Sequence, residues 1–167
     1  QHLPDLRLYL NLAPAQLLEP GLAGNLLEQL HNRRLGADQL TLELTEHSVL
    51  EPHPVVSGNL QQLRQAGVQL ALDDFGTGYS SLLLLKSIRP DVVKIDKSFT
   101  QSIRSDSEAL HIINLIADLA PRLGLELVAE GIEDIATLQL LATLGIQNFQ
   151  GYALGRPAPL HDWLAPV

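Results

Sequence analysis

The chain has 167 residues, 46% of them hydrophobic, which is enough for one globular domain with a sizeable core. Its formal net charge of −8 argues against binding of a nucleic-acid polymer, which would need a basic face, and means that an anionic substrate would need bound cations to approach. The chain contains no cysteine, so disulfides and thiolate chemistry are excluded, and no apolar run is long enough to span a bilayer.

Six predicted strands alternate with helices along the chain. The predicted strands cover residues 6–12, 40–45, 70–74, 91–96, 125–130 and 146–152. The predicted helices cover about residues 14–33, 55–66, 80–88, 108–123 and 134–144, with a short last helix near Trp163. Strands separated by helices imply parallel βα units, arranged either as a barrel or as a doubly wound sheet.

The side chains within the strands favour the barrel. One alternate set in each strand is apolar and should face the helices: Leu8, Leu10 and Leu12, Leu42 and Leu44, Leu70 and Leu72, Val93 and Ile95, Leu127 and Ala129. The other set finishes with a polar side chain near the carboxyl end of each strand: Asn11, Glu43, Asp73, Lys94, Glu130 and Gln150. Six strand ends that share one ring of polar groups are typical of a (β/α) barrel, whereas a doubly wound sheet gathers its ligands at one switch point.

The most informative stretch is residues 70–81, an apolar run that leads into two adjacent carboxylates and a glycine-rich turn. Asp73 and Asp74 repel each other, so both ionise near neutral pH only where a cation or hydrogen-bond donors compensate. The alternative is that the two aspartates cap the next helix while Gly76 and Gly78 supply the turn. Taken alone, this stretch supports the two interpretations about equally.

Asn11, Glu43, Asp73 and Asp74 all offer oxygen ligands, the donor set that Mg²⁺ or Mn²⁺ prefers. Each has an alternative when taken singly, since Asn11 could cap a helix and Glu43 could pair with a nearby base. Their shared position at strand ends favours a metal site.

The remaining polar strand ends add charge to the same ring. Lys94 would be costly inside a barrel unless it meets carboxylates or an anion; it is either a structural ion pair or a group that orients water or phosphate. Glu130 is a candidate metal ligand or general base. Glu133 could hold the glycine-rich loop after Asp74, and Gln150 could contact a base or water or simply cap the strand.

Six motifs in order resemble those of the EAL domain family over essentially the whole chain. They are Asn-Leu-Ala-Pro (11–14), Glu-Leu-Thr-Glu (43–46), Asp-Asp-Phe-Gly-Thr-Gly-Tyr-Ser-Ser (73–81), Val-Lys-Ile-Asp (93–96), Val-Ala-Glu-Gly-Ile-Glu (128–133) and Gln-Gly-Tyr (150–152). The resemblance implies a TIM-barrel-like fold and a metal-dependent phosphodiesterase that opens cyclic di-GMP to linear pGpG in bacterial second-messenger signalling.

The resemblance also implies roles for individual residues. Asn11, Glu43 and Asp73 would bind one Mg²⁺ or Mn²⁺ ion, and Asp73, Asp74 and Glu130 would surround a second. Lys94 and Gln150 would contact water or substrate. The catalytic set implied by these roles is Lys94, Glu130, Asp73 and Asp74.

The family's Glu-Ala-Leu segment, which supplies a further metal ligand, and the first two barrel strands are not in this sequence. We therefore expect residues 1–167 to be an EAL domain that is incomplete at its N-terminus, an excerpt or processed product that is weakly active or inactive in isolation. We expect a cytoplasmic site, linked sensory or GGDEF-type domains and a possible homodimer, in a parent protein that another domain could anchor to a membrane. The competing expectation is a receptor that binds cyclic di-GMP without hydrolysing it.

Overall fold

A computed structural model describes residues 6–45, 53–77 and 81–163. Within these ranges the strands are β1 (Leu8–Asn11), β2 (Leu40–Thr45), β3 (Gln69–Phe75), β4 (Val92–Ile95), β5 (Glu126–Ala129) and β6 (Asn148–Phe149). The helices are α1 (Pro14–Leu17), α2 (Leu22–Asn32), α3 (Pro54–Gln65), α4 (Ser81–Ile88), α5 (Lys97–Ser102), α6 (Ser107–Leu123), α7 (Ile135–Thr143) and α8 (Leu160–Trp163). A short 3₁₀ turn covers Ala37–Gln39.

The strands form one parallel sheet in the order β1-β2-β3-β4-β5-β6, so every strand pairs with its neighbours in the sequence. A doubly wound sheet reverses its order at a switch point, and this sheet does not. The six strands and their helices form a half-barrel with a TIM-barrel-like arrangement, which confirms the predicted fold class.

The two faces of the sheet differ as the alternation predicted. Residues of the outer face, including Leu42, Leu72 and Ile95, are fully buried in the main core together with side chains of the helices. On the inner face, Ala71 and Val92 form a separate small apolar cluster with Val128. This inner cluster is the floor beneath the polar strand ends.

Strand β1 departs from the prediction. Leu8 and Leu10 were expected to pack against helices, but their exposed fractions are 41% and 44%, while Leu12 is buried. The reason is that β1 is the edge of the described sheet, whereas the main helix–strand contacts, α3 with β3 and α6 with β5, lie on other strands.

The predicted first helix is wrong as a single element, because it is divided into α1 and α2. Pro20 and Gly21, the latter with φ +86°, interrupt the leucine repeat between them. The buried Asn59 of α3 holds this break, since its Nδ2 donates to the carbonyls of Leu17 at 3.1 Å and Glu19 at 3.0 Å.

Two further differences lie in the second half of the chain. Helix α5 has no counterpart in the sequence prediction, and the last strand is only Asn148–Phe149 instead of residues 146–152. Strand β6 ends early because the chain turns at Gly151, where a Cβ atom would lie 2.2 Å from the carbonyl oxygen of Ile132. None of the helices in the described ranges has the length and apolarity needed to cross a membrane.

Candidate metal centre

The site lies at the carboxyl ends of β2 to β5, above the floor of Ala71, Val92 and Val128. Each strand directs one alternate set of side chains to the interior, so Glu43, Asp73 and Lys94 reach the same end of the half-barrel. Glu130 follows the last residue of β5 and continues the ladder, since its N–H donates to the carbonyl of Ile95 at 3.1 Å.

Lys94 is the centre of this arrangement. Its residue is 3% exposed, and its Nζ lies 2.6 Å from Glu130 Oε1, 2.7 Å from Glu43 Oε1 and 3.3 Å from Asp73 Oδ1. An ammonium inside the barrel was expected to meet either carboxylates or an anion, and it contacts three carboxylates. Because a buried charge is tolerated only when it is paired, these contacts hold one side chain from each of four strand ends in place.

The carboxylates keep this ammonium charged. Burial alone would lower the pKa of Lys94, but the hydrogen bonds that it donates to Glu130 and Glu43 and the charge of Asp73 outweigh burial and raise the pKa well above its usual value. Lys94 therefore contributes one positive charge throughout the physiological pH range.

Asp74 follows from a local irregularity of β3. The register between β3 and β4 shifts between Leu72 and Phe75, and Asp74 has φ +53°, a left-handed conformation that Asp tolerates better than most residues. The turn is held by Asp73 Oδ1, which accepts from the N–H of Asp74 at 3.0 Å, and by Thr77 Oγ1, which donates to the Asp74 carbonyl at 2.8 Å. The bulge therefore lets two adjacent aspartates serve the same site.

Three carboxylates converge near this turn. One oxygen atom from each of Asp73, Asp74 and Glu130 lies within 4.8 Å of the others. Burial raises the pKa of Asp74, and the negative charges of Asp73 and Asp96 raise it further. Burial also raises the pKa of Glu130, and the hydrogen bond with Lys94 only partly offsets that effect. Burial is the largest cause of both shifts, and the neighbouring carboxylates add to it.

The donor set suits a hard divalent cation. Glu43, Asp73, Asp74 and Glu130 offer four carboxylates against one ammonium, so the cluster carries an excess of negative charge when all are ionised. Oxygen donors of this kind fit Mg²⁺, Mn²⁺ or Ca²⁺ better than the softer metals.

Two predicted site residues lie at the rim of the site. Asn11 is exposed and is paired in register with Glu43 across β1 and β2, which places it beside the acidic cluster. Gln150 is exposed, its N–H donates to the carbonyl of Ala129 at 2.9 Å, and its side chain lines an interior cavity together with Tyr9 and Phe149. This geometry alone does not assign a metal-binding or substrate-binding role to either residue.

Glu133 lies three residues after Glu130 and accepts a hydrogen bond from Gln101 Nε2 of α5 at 2.9 Å. Its predicted partner, the glycine-rich loop after Asp74, includes residues 78–80, which are outside the described residues. Glu46 of the second motif is outside them as well. The role of Glu133 in holding that loop therefore stays a prediction.

Helix α5 brings in residues that the sequence interpretation missed. Asp96 caps this helix by accepting from the N–H of Ser98 at 2.9 Å; burial would raise its pKa, but the hydroxyl and N–H of Ser98 lower it overall. Its charge acts on Asp74. Phe99 packs where a Cβ on Gly76 would lie, 2.8 Å from the ring. The capping pair Asp96 and Ser98 was readable from the sequence, but six residues show too little periodicity to predict a helix.

The sequence model of the EAL domain family matches residues 1–157. Among curated relatives, the bifunctional diguanylate cyclase/cyclic di-GMP phosphodiesterase MucR of Pseudomonas aeruginosa is 37% identical over 163 residues, which cover 98% of this chain and 24% of MucR. The chain spans about a fifth to a quarter of the length of the curated relatives it matches.

Solved structures agree with the sequence comparison. The MucR phosphodiesterase in complex with c-di-GMP superposes with a TM-score of 0.87 and 36% identity, covering 95% of this chain and 64% of that one. BlrP1 of Klebsiella pneumoniae, solved with manganese and cyclic di-GMP at pH 6, gives a TM-score of 0.86 and 35% identity, covering 91% of this chain and 39% of BlrP1. With its half-barrel, its acidic strand ends and a family match over residues 1–157, this chain belongs to the EAL domain family.

Proposed function

We propose that this domain hydrolyses cyclic di-GMP to linear pGpG with the help of Mg²⁺ or Mn²⁺. The observation that carries the proposal is the cluster of Asp73, Asp74 and Glu130 beside the buried Lys94, at the end of the half-barrel where barrel enzymes carry their active sites. Relatives that act on or are solved with cyclic di-GMP support the choice of substrate.

The residues divide into two overlapping ligand groups in this proposal. Asn11, Glu43 and Asp73 would hold one ion, and Asp73, Asp74 and Glu130 would hold the other. When bound, such ions lower the pKa of a water molecule and stabilise charge on a phosphodiester. Asp73 is the only one of these side chains that contributes to both groups.

Lys94 and Gln150 would act on the substrate side. Lys94 holds Glu43, Asp73 and Glu130 in fixed positions and can offer a proton donor to water or to a phosphate oxygen. Gln150 presents an exposed amide at the rim of the interior, where it can contact substrate or water. Glu133 would keep the glycine-rich loop after Asp74 in place through α5, which contacts both regions.

We further propose a setting for this activity. Cyclic di-GMP is a bacterial second messenger, so the site would work in the cytoplasm, within a longer protein whose other domains are of sensory or GGDEF type. MucR, which combines two activities, supports a multidomain parent. A homodimer of the domain remains part of the proposal and is testable by sedimentation.

The proposal is tested by incubating the purified parent protein that contains this domain with cyclic di-GMP and separating the products by liquid chromatography. The isolated 167-residue chain, which is expected to be weakly active or inactive, is run alongside. Linear pGpG should form with Mn²⁺ or Mg²⁺ and not with EDTA. Ca²⁺ should support binding but slow turnover, because a larger ion with flexible coordination relaxes the geometry that two ions impose. Turnover in EDTA, or faster turnover with Ca²⁺ than with Mn²⁺, would contradict the proposal; metal-dependent binding without any product would indicate the receptor instead.

A further inference from the structure

Helix α5 contacts the backbone that carries Glu130. Thr100 of this helix is fully buried, and its Oγ1 donates to the carbonyl oxygen of Glu130 at 2.5 Å. The same hydroxyl lies farther, at 3.2 Å, from the carbonyl of Lys97 one turn back in its own helix. A hydroxyl has one proton to donate, so the shorter contact with Glu130 is the stronger one.

This hydrogen bond acts where the strand ladder stops. The N–H of Glu130 is held by the carbonyl of Ile95, but β5 ends at Ala129, so the carbonyl of Glu130 finds its partner in α5. The next residue, Gly131, has φ +65°. Because glycine has no Cβ, its backbone resists rotation of the preceding peptide less than another residue would. Without the hydroxyl, the peptide between Glu130 and Gly131 would lose its fixed orientation.

The backbone at Gly131 packs closely against α5. A Cβ at Gly131 would lie 2.4 Å from the Cβ of Lys97, so the loop backbone rests directly on α5. The carboxylate of Glu130 lies 2.6 Å from Lys94 Nζ and belongs to the cluster with Asp73 and Asp74. A rotation of the peptide would therefore change where this carboxylate lies relative to the other two.

We propose that Thr100 is a positioning residue for Glu130: through its hydroxyl it fixes the backbone of Glu130 and thereby the distance of that carboxylate from Asp73 and Asp74. The effect of Thr100 on metal binding rests on the proposed function, which places a metal ion at these carboxylates. Thr100 touches neither metal nor substrate in this role.

The substitution that tests this is Thr100→Val, which removes the hydroxyl and keeps the shape. Thr100→Ser restores the hydroxyl. Thr41→Val is a matched control, because Thr41 is equally buried on β2 and its hydroxyl contacts Gln69 rather than the acidic cluster. In Mn²⁺ titrations followed by electron paramagnetic resonance, Thr100→Val should bind Mn²⁺ about tenfold more weakly, the lower end of the effect of outer-shell partners. Thr100→Ser and Thr41→Val should stay within about twofold of the wild type.

A metal-free measurement separates this inference from the proposed function. At fixed pH, the ¹³C shift of the Glu130 carboxylate and the amide shift of Gly131 should change in Thr100→Val and not in Thr41→Val. If the wild type binds no Mn²⁺, the proposed function fails while these shifts still decide the role of Thr100. Unchanged shifts in Thr100→Val overturn the inference. If that variant does not fold, the wild-type chain decides, since a slowly exchanging Thr100 hydroxyl proton is expected and its absence overturns the inference.

Discussion

The two ends of the half-barrel interior both carry ion pairs between strands, but they treat charge differently. At the amino end, Arg7 pairs with Glu126 at 3.3 Å, and Asn148 Nδ2 donates to the same carboxylate at 2.9 Å. The side chains of Arg7 and Glu126 are 46% and 35% exposed, so water shares in their solvation. At the carboxyl end, Lys94 is buried among three carboxylates.

The difference lies in the balance of charge. The amino end joins one cation to one anion, so its charges balance and it is a structural link between Arg7, the residue before β1, and Glu126 of β5. The carboxyl end sets one ammonium against four carboxylates, two of which have raised pKa values. An ion pair that only stabilised the fold would not need this excess; a cation-binding site does.

The largest difference between the two ends is expected when the cation is removed from each. Lys94→Met should lower the free energy of unfolding of the metal-free chain by about 3–5 kcal/mol, because it leaves buried carboxylates without their partner. Arg7→Met should cost less than about 1 kcal/mol, since its pair is solvent-exposed. Urea unfolding in EDTA measures both. Equal losses in the two variants would show that the two ends are energetically alike.

The second test removes one anion from each end. Asp73→Asn should weaken Mn²⁺ binding by at least about 100-fold and remove most metal-dependent turnover, because a carboxylate central to the site is lost. Glu126→Gln takes away a carboxylate of the amino end and should leave Mn²⁺ affinity within about twofold. Calorimetric titration with Mn²⁺ compares them. Near-wild-type hydrolysis by Asp73→Asn at low metal concentration would show that the site is assigned to the wrong residues.

The third test uses pH. Because burial and the charges of Asp73 and Asp96 raise the pKa of Asp74, this group stabilises the metal-free fold below its unfolded-state pKa, and that contribution is lost as pH rises through the raised value. Asp74→Asn should therefore raise the Tm in EDTA at pH 7, and the gain should shrink as the pH is lowered towards 4. The Tm is followed by circular dichroism across this range.

The same raised pKa values act on metal binding. Protons compete with Mn²⁺ at Asp74 and Glu130, so affinity should fall as the pH is lowered, by up to about tenfold per unit for one competing proton. The fall should begin at a higher pH than for ordinary carboxylates, whose pKa is about 4. If the fall in affinity begins at no higher pH than it does for ordinary carboxylates, the raised pKa values of Asp74 and Glu130 do not govern metal binding.

The smallest expected effect concerns Glu133, which is exposed. Its hydrogen bond with Gln101 is exposed, so Glu133→Ala should cost less than about 1 kcal/mol of stability. Turnover should nevertheless fall severalfold if Glu133 steadies the loop after Asp74. Asp118→Ala, at an exposed position of α6, is the control. Unchanged turnover and metal affinity in Glu133→Ala would make Glu133 an ordinary surface residue.

Much of the fold and site follows from local sequence rules. The strand ends at Glu43, Asp73 and Lys94 were predicted from alternation alone, because a strand's period of two assigns each side chain to a face. Parallel strands bring their carboxyl ends to one edge, so an ion pair of Lys94 with carboxylates was one of the two roles that the sequence left open. Alternation does not predict whether a helix packs over a given strand. Leu8 and Leu10 follow the alternating pattern and are nevertheless exposed on the edge strand.

The features that were missed depend on tertiary contacts. The break at Pro20 and Gly21 was visible in the sequence, but the leucine spacing on both sides outweighed it. The left-handed Asp74 arises from a bulge between two strands, which no window of one strand shows. Thr100 has no sequence signal at all, because its partner is a carbonyl oxygen thirty residues away.

The sequential strand order has a consequence for how the site comes into existence. Each βα unit docks on the one synthesised just before it, so folding can proceed by adding neighbours, as in repeat proteins, with little loop-closure entropy at each step. Glu43, Asp73, Lys94 and Glu130 come from four consecutive units, so Lys94 can pair with Glu43 and Asp73 once the third has docked and with Glu130 only after the fourth. Stepwise docking would therefore bring Glu43 and Asp73 together on neighbouring strands before Lys94 arrives. Metal or proton uptake at that stage would lower the free energy of the partly folded chain, so the folding rate of this domain should depend on divalent cations as well as its final stability.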